Sequence, residues 1–262
     1  MPQFIINLYA AIFGLCFGSF ANVAVYRLPL GKSIVKPPSH CPSCGKRLAA
    51  ADLIPVLSWL LLRGRCRYCK KRIGVRYPLI EVACSVLFAC MANFTGSNLS
   101  AVPLCMLAFV LLCVTVIDGE TQTIPNGLLL FGGAVGIIWT VSAFFFPETF
   151  IHAVAWHDAL LGVAAGALPL IVIDRVVHFF LKKDGFGFGD VKLMAMAGLF
   201  LGWQLIFVSF FFAFVSGGVY GAYLIMFKQA KKGSYIAFGP FLCAGILTAL
   251  WFGKSFIGWM LP

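Results

Sequence analysis

The chain has 262 residues, of which 61% are hydrophobic and only 11% are charged. Soluble domains carry about 25% charged residues, and a chain of this length cannot hide so much apolar surface from water. The composition excludes disordered and collagen-like chains, disfavours a soluble enzyme and predicts an integral membrane protein. Because only nine acidic residues accompany 20 Lys and Arg, for a net charge of +11, a carboxylate in or beside an apolar run needs an explanation.

Uncharged apolar runs predict about eight transmembrane helices, since each span needs about 20 apolar residues. The run 193–227 is too long for one span, so a turn is expected near Gly202, Trp203 and Gln204; without that turn the count is seven. The predicted fold class is an all-α polytopic membrane protein with a small cytoplasmic four-cysteine zinc domain between helices 1 and 2. The runs cover approximately 1–26, 78–94, 101–117, 125–146, 158–181, 193–227 and 236–256.

The positions of Lys and Arg predict the orientation, because cytoplasmic loops of membrane proteins are enriched in both residues. Twelve of the 20 lie between Arg27 and Arg76. With eight helices and an external N-terminus, this region and two later basic loops all fall on the cytoplasmic side. The positive charge is therefore a topology signal, and no nucleic-acid partner is expected. The residues of the two later loops are Lys182, Lys183, Lys192, Lys228, Lys231 and Lys232.

Four of the ten cysteines form two C-x-x-C pairs that are separated by 21 residues. Such pairs are typical of a structural zinc site with four thiolate ligands, although this gap is slightly long. Nearby Lys and Arg favour thiolates, and the reducing cytoplasm disfavours disulfides. The sequence predicts zinc as a structural cofactor, with two disulfides or free thiols as alternatives. The expected ligands are Cys41, Cys44, Cys66 and Cys69.

Two acidic residues lack an ordinary explanation. Asp118 ends an apolar run, where the helix dipole disfavours a negative charge. Asp190 follows the glycine-rich segment Gly185–Gly189 and begins another apolar run; a helix N-cap is the alternative role for it. Because two predicted helices separate the two aspartates, both are expected at the cytoplasmic membrane boundary. Two carboxylates that share one proton and activate water are the parts of an aspartyl protease.

Ordered motifs run through nearly the whole chain. They are Phe17–Val23, Tyr26–Pro29, Ser39–Cys44, Ile54–Leu60, Arg63–Cys69, Arg76–Glu81, Ile117–Asp118 with Ile124–Asn126, Gly187–Lys192 and Ala237–Leu242. Taken together, they resemble those of the bacterial type IV prepilin peptidases, which are membrane leader peptidases and N-methyltransferases with a Gly-x-Gly-Asp signature. A single Gly-x-Gly-Asp would be weak, whereas this ordered set is specific.

The resemblance implies that the chain removes the basic leader of prepilins or pseudopilins after a Gly, at the cytoplasmic membrane face. It implies Asp118 and Asp190 as the catalytic pair. Many members carry a second Asp two positions after the first, where this chain has Glu120, which is kept as a lesser candidate. The resemblance also implies methylation of the new N-terminal residue with S-adenosylmethionine. Its site is predicted, with helix packing as the alternative, at Gly18, Asn22 and Glu81.

Three segments are predicted along the chain: a first transmembrane helix at 1–27, a cytoplasmic zinc-binding domain at 28–77 and a transmembrane aspartyl protease domain at 78–262. The expected location is the bacterial inner membrane, with prepilins, pseudopilins and the lipid bilayer as partners. One alternative is a transporter with a carboxylate relay for protons or cations. The other is a non-catalytic scaffold whose zinc domain recruits a partner.

Overall fold

A computed structural model describes residues 2–96, 99–182, 186–227 and 237–260, without the side chain of Leu181. Of the residues that carried predictions, Lys183, Gly185, Lys228, Lys231 and Lys232 lie outside the described residues. The regular secondary structure of the described part is helical apart from two isolated β-bridges. Its helices are α1 (Gln3–Arg27), a 3₁₀ turn (Ala50–Leu53), α2 (Leu57–Leu61), α3 (Arg76–Thr95), α4 (Ala101–Thr121), α5 (Asn126–Phe145), α6 (Trp156–Leu181), α7 (Phe188–Met226) and α8 (Gly239–Met260).

Seven of the described helices are long and apolar enough to cross a membrane. They follow the predicted apolar runs to within about five residues at each end. Large apolar side chains are exposed along them, as at Phe4, Leu130 and Trp259. A surface of this kind suits lipid rather than water. The prediction of an all-α polytopic membrane protein is therefore confirmed.

The helix α7 contains the turn that the sequence predicted. Gly202 has φ 71° and ψ 177°, which is not helical. The ring of Phe186, just before α7, lies 6.2 Å from the ring of Phe214, although a continuous helix would hold the two about 40 Å apart. The chain therefore reverses at Gly202, and α7 consists of two antiparallel halves. With these halves counted separately, the described helices supply eight apolar segments.

Contacts divide the chain into two compact units, Met1–Cys113 and Val114–Pro262, so α4 contributes to both. In the first unit, α1 packs closely on α3. A Cβ atom on Gly18 would lie 2.6 Å from the Cα of Glu81, so the absence of a side chain lets the two backbones approach. The ring of Phe17 lies 5.4 Å from Phe88 and 5.6 Å from Phe109. The two spans that flank the cysteine domain thus form one packed pair.

In the second unit, glycines bring three helices into close contact. A Cβ on Gly198 of α7 would overlap the carbonyl group of Gly162 on α6. A Cβ on Gly245 of α8 would overlap the carbonyl oxygen of Ser209 on α7. Small residues at helix crossings are the usual means of close packing within a bilayer, where apolar burial gives little driving force. This packing sets the positions of the first residues of α7 and α8.

Candidate functional site

The structure brings the two predicted catalytic aspartates together in the second unit. Asp118 lies in the last turn of α4 and Asp190 in the first turn of α7, with exposed fractions of only 6% and 9%. They are close enough for their charges to act on each other. Asp190 is the third residue of α7, and Gly187 is its N-cap. The alternative that Asp190 caps the helix is therefore wrong.

Two glycines let the backbone approach these carboxylates. The N–H of Gly239, at the start of α8, donates a hydrogen bond to Oδ2 of Asp118 at 2.9 Å. A Cβ on Gly239 would lie 2.7 Å from the same oxygen, and one on Gly187 would lie 3.4 Å from Oδ2 of Asp190. Sequence reasoning gave Gly239 no individual role. The available signal was its place between Phe238 and Pro240 before an apolar run.

The neighbouring segment between α4 and α5 is held to the start of α7. The side chain of Lys192 donates to Oδ1 of Asn126 at 2.8 Å. A Cβ on Gly189 would lie 3.0 Å from the Cβ of Ile124, so this glycine permits close packing there. Glu120, the lesser candidate, is exposed on α4. The structure therefore pairs Asp190 with Asp118 and leaves Glu120 at the surface.

The four predicted metal ligands lie together in the first unit. Their sulfur atoms are all within 4.8 Å of one another, and Sγ of Cys41 lies 3.9 Å from Sγ of Cys69. Four sulfurs around a tetrahedral zinc ion, each about 2.3 Å from it, would be about 3.8 Å apart. The thiols are not joined in disulfides. The donor set thus fits a four-thiolate metal site.

Both cysteine pairs sit on turns of the same geometry. The first cysteine of each pair, Cys41 or Cys66, donates its N–H at 2.9 Å to the carbonyl oxygen five residues later. Gly45 and Lys70, which follow the second cysteines, have left-handed backbone with φ of 68° and 59°. Such turns point both sulfurs of a pair, and several backbone N–H groups, toward one centre. The two pairs are therefore equivalent halves of one site.

Electrostatic interactions favour the ionised forms of Cys41 and Asp52 in this domain. Burial disfavours the thiolate of Cys41, but hydrogen bonds from the backbone of Ser43 and Cys44 outweigh it and lower the pKa of that thiol to about 6. The backbone of Lys71 lowers the pKa of Cys69, but burial and hydrogen bonds with the neighbouring thiols outweigh it and raise that pKa to about 11. Burial likewise disfavours the charge on Asp52, but Arg67 donates to Oδ1 of Asp52 at 2.6 Å. This ion pair holds the pKa of the Asp52 carboxyl below its usual value. It also ties the segment after the first cysteine pair to the second pair.

The three residues predicted for the methyl-transfer site lie on the contact between α1 and α3. Asn22, which is buried, donates to the carbonyl oxygens of Gly18 at 3.3 Å and Tyr77 at 3.1 Å. Glu81, also buried, accepts the backbone N–H of Val56 at 2.7 Å. Val56 has an unusual backbone with a positive φ of 60°. Sequence reasoning included Val56 in the motif Ile54–Leu60 but gave it no individual role, whereas in the structure it links the cysteine domain to α3.

Comparison with known families covers both units. Residues 12–94 match the family described as the bacterial peptidase A24 N-terminal domain, and residues 105–222 match the type IV leader peptidase family. The chain belongs to the type IV leader peptidase family. The match confirms the resemblance seen in the motifs. It favours an enzyme over the two alternatives, a transporter and a non-catalytic scaffold.

Three proteins that match this chain over most of their length are each a prepilin leader peptidase/N-methyltransferase. The protein of Pseudomonas putida is 35% identical over 273 residues, covering 95% of this chain and 92% of that protein. The protein of Bacillus subtilis is 36% identical over 247 residues, covering 94% of each. That of Pseudomonas aeruginosa is 33% identical over 264 residues, covering 92% of this chain and 88% of its own. No solved structure matches the chain.

Proposed function

We propose that the chain cleaves the basic leader of type IV prepilins or pseudopilins after a Gly, using Asp118 and Asp190. The observation that carries the proposal is the buried pair of carboxylates whose charges act on each other. Because two neighbouring carboxylates cannot both ionise without a large cost, such a pair shares one proton.

In this mechanism the ionised aspartate accepts a proton from water, and the oxygen of that water attacks the scissile carbonyl carbon. The protonated aspartate donates its proton to the carbonyl oxygen. The C–N bond then breaks as the leaving nitrogen takes the proton that the first aspartate accepted. The new carboxyl group re-forms its C=O bond and returns a proton to the second aspartate. The bond from the Gly239 N–H to Asp118 fixes the position of one carboxylate during these steps.

Asp118→Asn and Asp190→Asn test the peptidase proposal separately. In both variants asparagine keeps nearly the same shape but cannot exchange the proton, and in Asp118→Asn its amide oxygen can still accept the Gly239 N–H. We expect each variant to lower leader cleavage by about a hundredfold or more, measured as the mass of a co-expressed prepilin. Glu148→Gln, in an exposed loop, is the matched control and should cleave normally. Normal cleavage by either aspartate variant, inserted at the level of the unsubstituted chain, would contradict the proposal.

We also propose that the chain N-methylates the new N-terminal residue with S-adenosylmethionine, at a site that includes Gly18, Asn22 and Glu81. The names of the relatives support this activity. A buried carboxylate and a buried amide suit a cationic group, which both the methyl donor and the amine that receives the methyl carry. When bound, the donor supplies a methyl group on a positively charged sulfur. The same mass measurement reports the added methyl group.

We propose that 28–77 is a zinc-binding domain between the first span, 1–27, and the protease domain, 78–262. The closeness of the four cysteine sulfurs supports this assignment. Four protein ligands leave no open position on the ion, so the zinc is structural rather than catalytic.

We propose that the zinc domain and both aspartates face the cytoplasm from the bacterial inner membrane. Twelve Lys and Arg between Arg27 and Arg76 support this orientation, and the loop 146–155 has none. Trypsin added to intact spheroplasts should spare residues 27–76, whereas trypsin added to inverted membrane vesicles should cut there. Cutting within 27–76 in intact spheroplasts would reverse the assignment.

A further inference from the structure

A buried carboxylate on α3 has no cation beside it among the residues that the structure describes. Glu81 is only 8% exposed, and its partners in the described chain are neutral: the N–H of Val56 at 2.7 Å and the hydroxyl of Ser19. Among the described residues, no Lys or Arg lies within ion-pair distance of Glu81. A buried anion without a counter-charge is costly, above all near a bilayer. Its presence therefore needs a reason beyond folding.

Glu81 has two ordinary structural roles to consider, accepting the Val56 N–H and stabilising the N-terminus of α3. Neither role requires a negative charge at this position. The amide oxygen of a glutamine would accept the Val56 N–H as well as a carboxylate does. Glu81 is the sixth residue of α3, beyond the first turn, where the helix dipole favours an anion. Because folding does not require the negative charge of Glu81, that charge is suited to binding a cationic ligand.

The surroundings of Glu81 offer more hydrogen-bond acceptors than donors. A carboxylate accepts up to about four hydrogen bonds, of which two have partners here. Asn22 uses its NH₂ group toward Gly18 and Tyr77, so its amide oxygen has no partner among the described residues. Asn22 and Glu81 lie at the same contact between α1 and α3. The Asn22 side chain bonds to Gly18, one turn before Asn22, and to Tyr77, one turn before Glu81. A primary ammonium group, with three donors and no acceptor, complements such a site.

We infer that Glu81 and Asn22 bind the α-ammonium group of the peptide that leader cleavage releases, an inference that rests on the proposed function because that cleavage creates the amine. Glu81 also acts as the base. The ammonium nitrogen loses a proton to the carboxylate, and its freed electron pair forms the new N–C bond. The C–S bond to the transferred methyl breaks, its electron pair stays on sulfur, and Glu81 later releases the proton to water.

Binding of two matched peptides to the full chain in lipid nanodiscs, without any methyl donor, tests the inference. One is a short apolar peptide with a free α-amine, and the other is its Nα-acetyl twin. We expect the chain to bind the free amine about tenfold or more tightly at neutral pH. The preference should shrink as the pH rises above about 8, where the α-amine loses its charge.

Glu81→Gln keeps an acceptor for Val56 and removes the charge, so it should abolish the preference without changing the melting temperature or metal content. Glu148→Gln should keep the preference. Three results would overturn the inference: equal binding of both peptides by the unsubstituted chain, an equal loss for both peptides in Glu81→Gln, or a selective loss of S-adenosylmethionine binding in that variant. The last result would assign Glu81 to the methyl donor.

The failure of the site and the failure of the proposed function can be told apart. If the chain methylates its product but does not prefer the free amine, the methyltransferase proposal is supported and the amine site is contradicted. If the chain prefers the free amine but never methylates a cleaved product, the amine site is supported and the methyltransferase proposal is contradicted.

Discussion

At the scale of single residues, the absence of a side chain at Gly239 decides how closely α8 approaches Asp118. We expect Gly239→Ala to push the Asp118 carboxylate aside, because the new Cβ would lie 2.7 Å from its Oδ2. A displacement of about 1 Å in a catalytic group costs about a hundredfold in rate. A leader-cleavage assay should show a loss of that order in Gly239→Ala.

Gly218→Ala is the matched control for this substitution, since a Cβ at Gly218 meets no atom within 4 Å. It should cleave at the normal rate. Melting temperatures of both variants show whether either loses activity by unfolding. A folded Gly239→Ala variant with normal cleavage would mean that the contact between α8 and Asp118 does not position the carboxylate.

The residues that sequence reasoning found and missed differ in a physical way. Asp118 and Asp190 stood out because carboxylates are rare and costly beside apolar runs. The cysteines stood out because metal binding imposes a spacing. Gly239 and Val56 act through backbone N–H groups, which every residue except proline possesses. A side-chain pattern cannot reveal such donors, so only the fold identifies them.

At the scale of helices, the crossing of α6 and α7 depends on two facing glycines. A Cβ on Gly198 would overlap the backbone of Gly162, which cannot rotate away as a side chain can. We expect Gly198→Ala to force the helices apart and to destabilise the chain by about 1–3 kcal/mol. Thermal unfolding in detergent should show a lower melting temperature.

Gly133→Ala on α5 is the control for that crossing, because its Cβ would meet no atom within 4 Å. Alanine also has the higher helix propensity, so the control should melt at the same temperature or slightly higher. Equal melting of Gly198→Ala and the control would argue against a tight crossing.

Hydropathy predicted the helices well and their ends less well. The predicted run began at 193, whereas α7 begins at Phe188. A search for uncharged runs stops at Asp190 and Lys192, although both lie inside the helix. Lys192 is accommodated there because it bonds to Asn126 and lies over the ring of Phe188. Tertiary partners of this kind extend a helix beyond its apolar run.

At the scale of the whole molecule, the cysteine domain and the α1–α3 contact belong to one unit and the aspartate pair to the other. We expect removal of zinc by a chelator to loosen the cysteine domain and the Val56–Glu81 bond with it. Methylation of a pre-cleaved peptide should then fall by about tenfold or more, and leader cleavage should fall less. Adding zinc back should restore methylation, whereas parallel loss of both activities would contradict this expectation.

The predicted segments at 1–27, 28–77 and 78–262 follow composition, whereas the two units follow packing. Composition changes where charged residues begin and end, at about residues 27 and 77. Packing instead joins α1, the cysteine domain and α3, and the division falls within α4. The sequence could not show this grouping, because glycines such as Gly14 and Gly18 look alike whether or not they face another helix.

The reversal at Gly202 has a consequence for how water reaches Asp190. The first half of α7, 188–201, is about 21 Å long at 1.5 Å per residue, whereas the hydrocarbon layer of a bilayer is about 30 Å thick. None of the residues 190–202 is exposed, so this short segment lies among other helices rather than beside lipid. We therefore expect Asp190 to lie short of the membrane surface, so that the water consumed by the proposed hydrolysis enters through the protein.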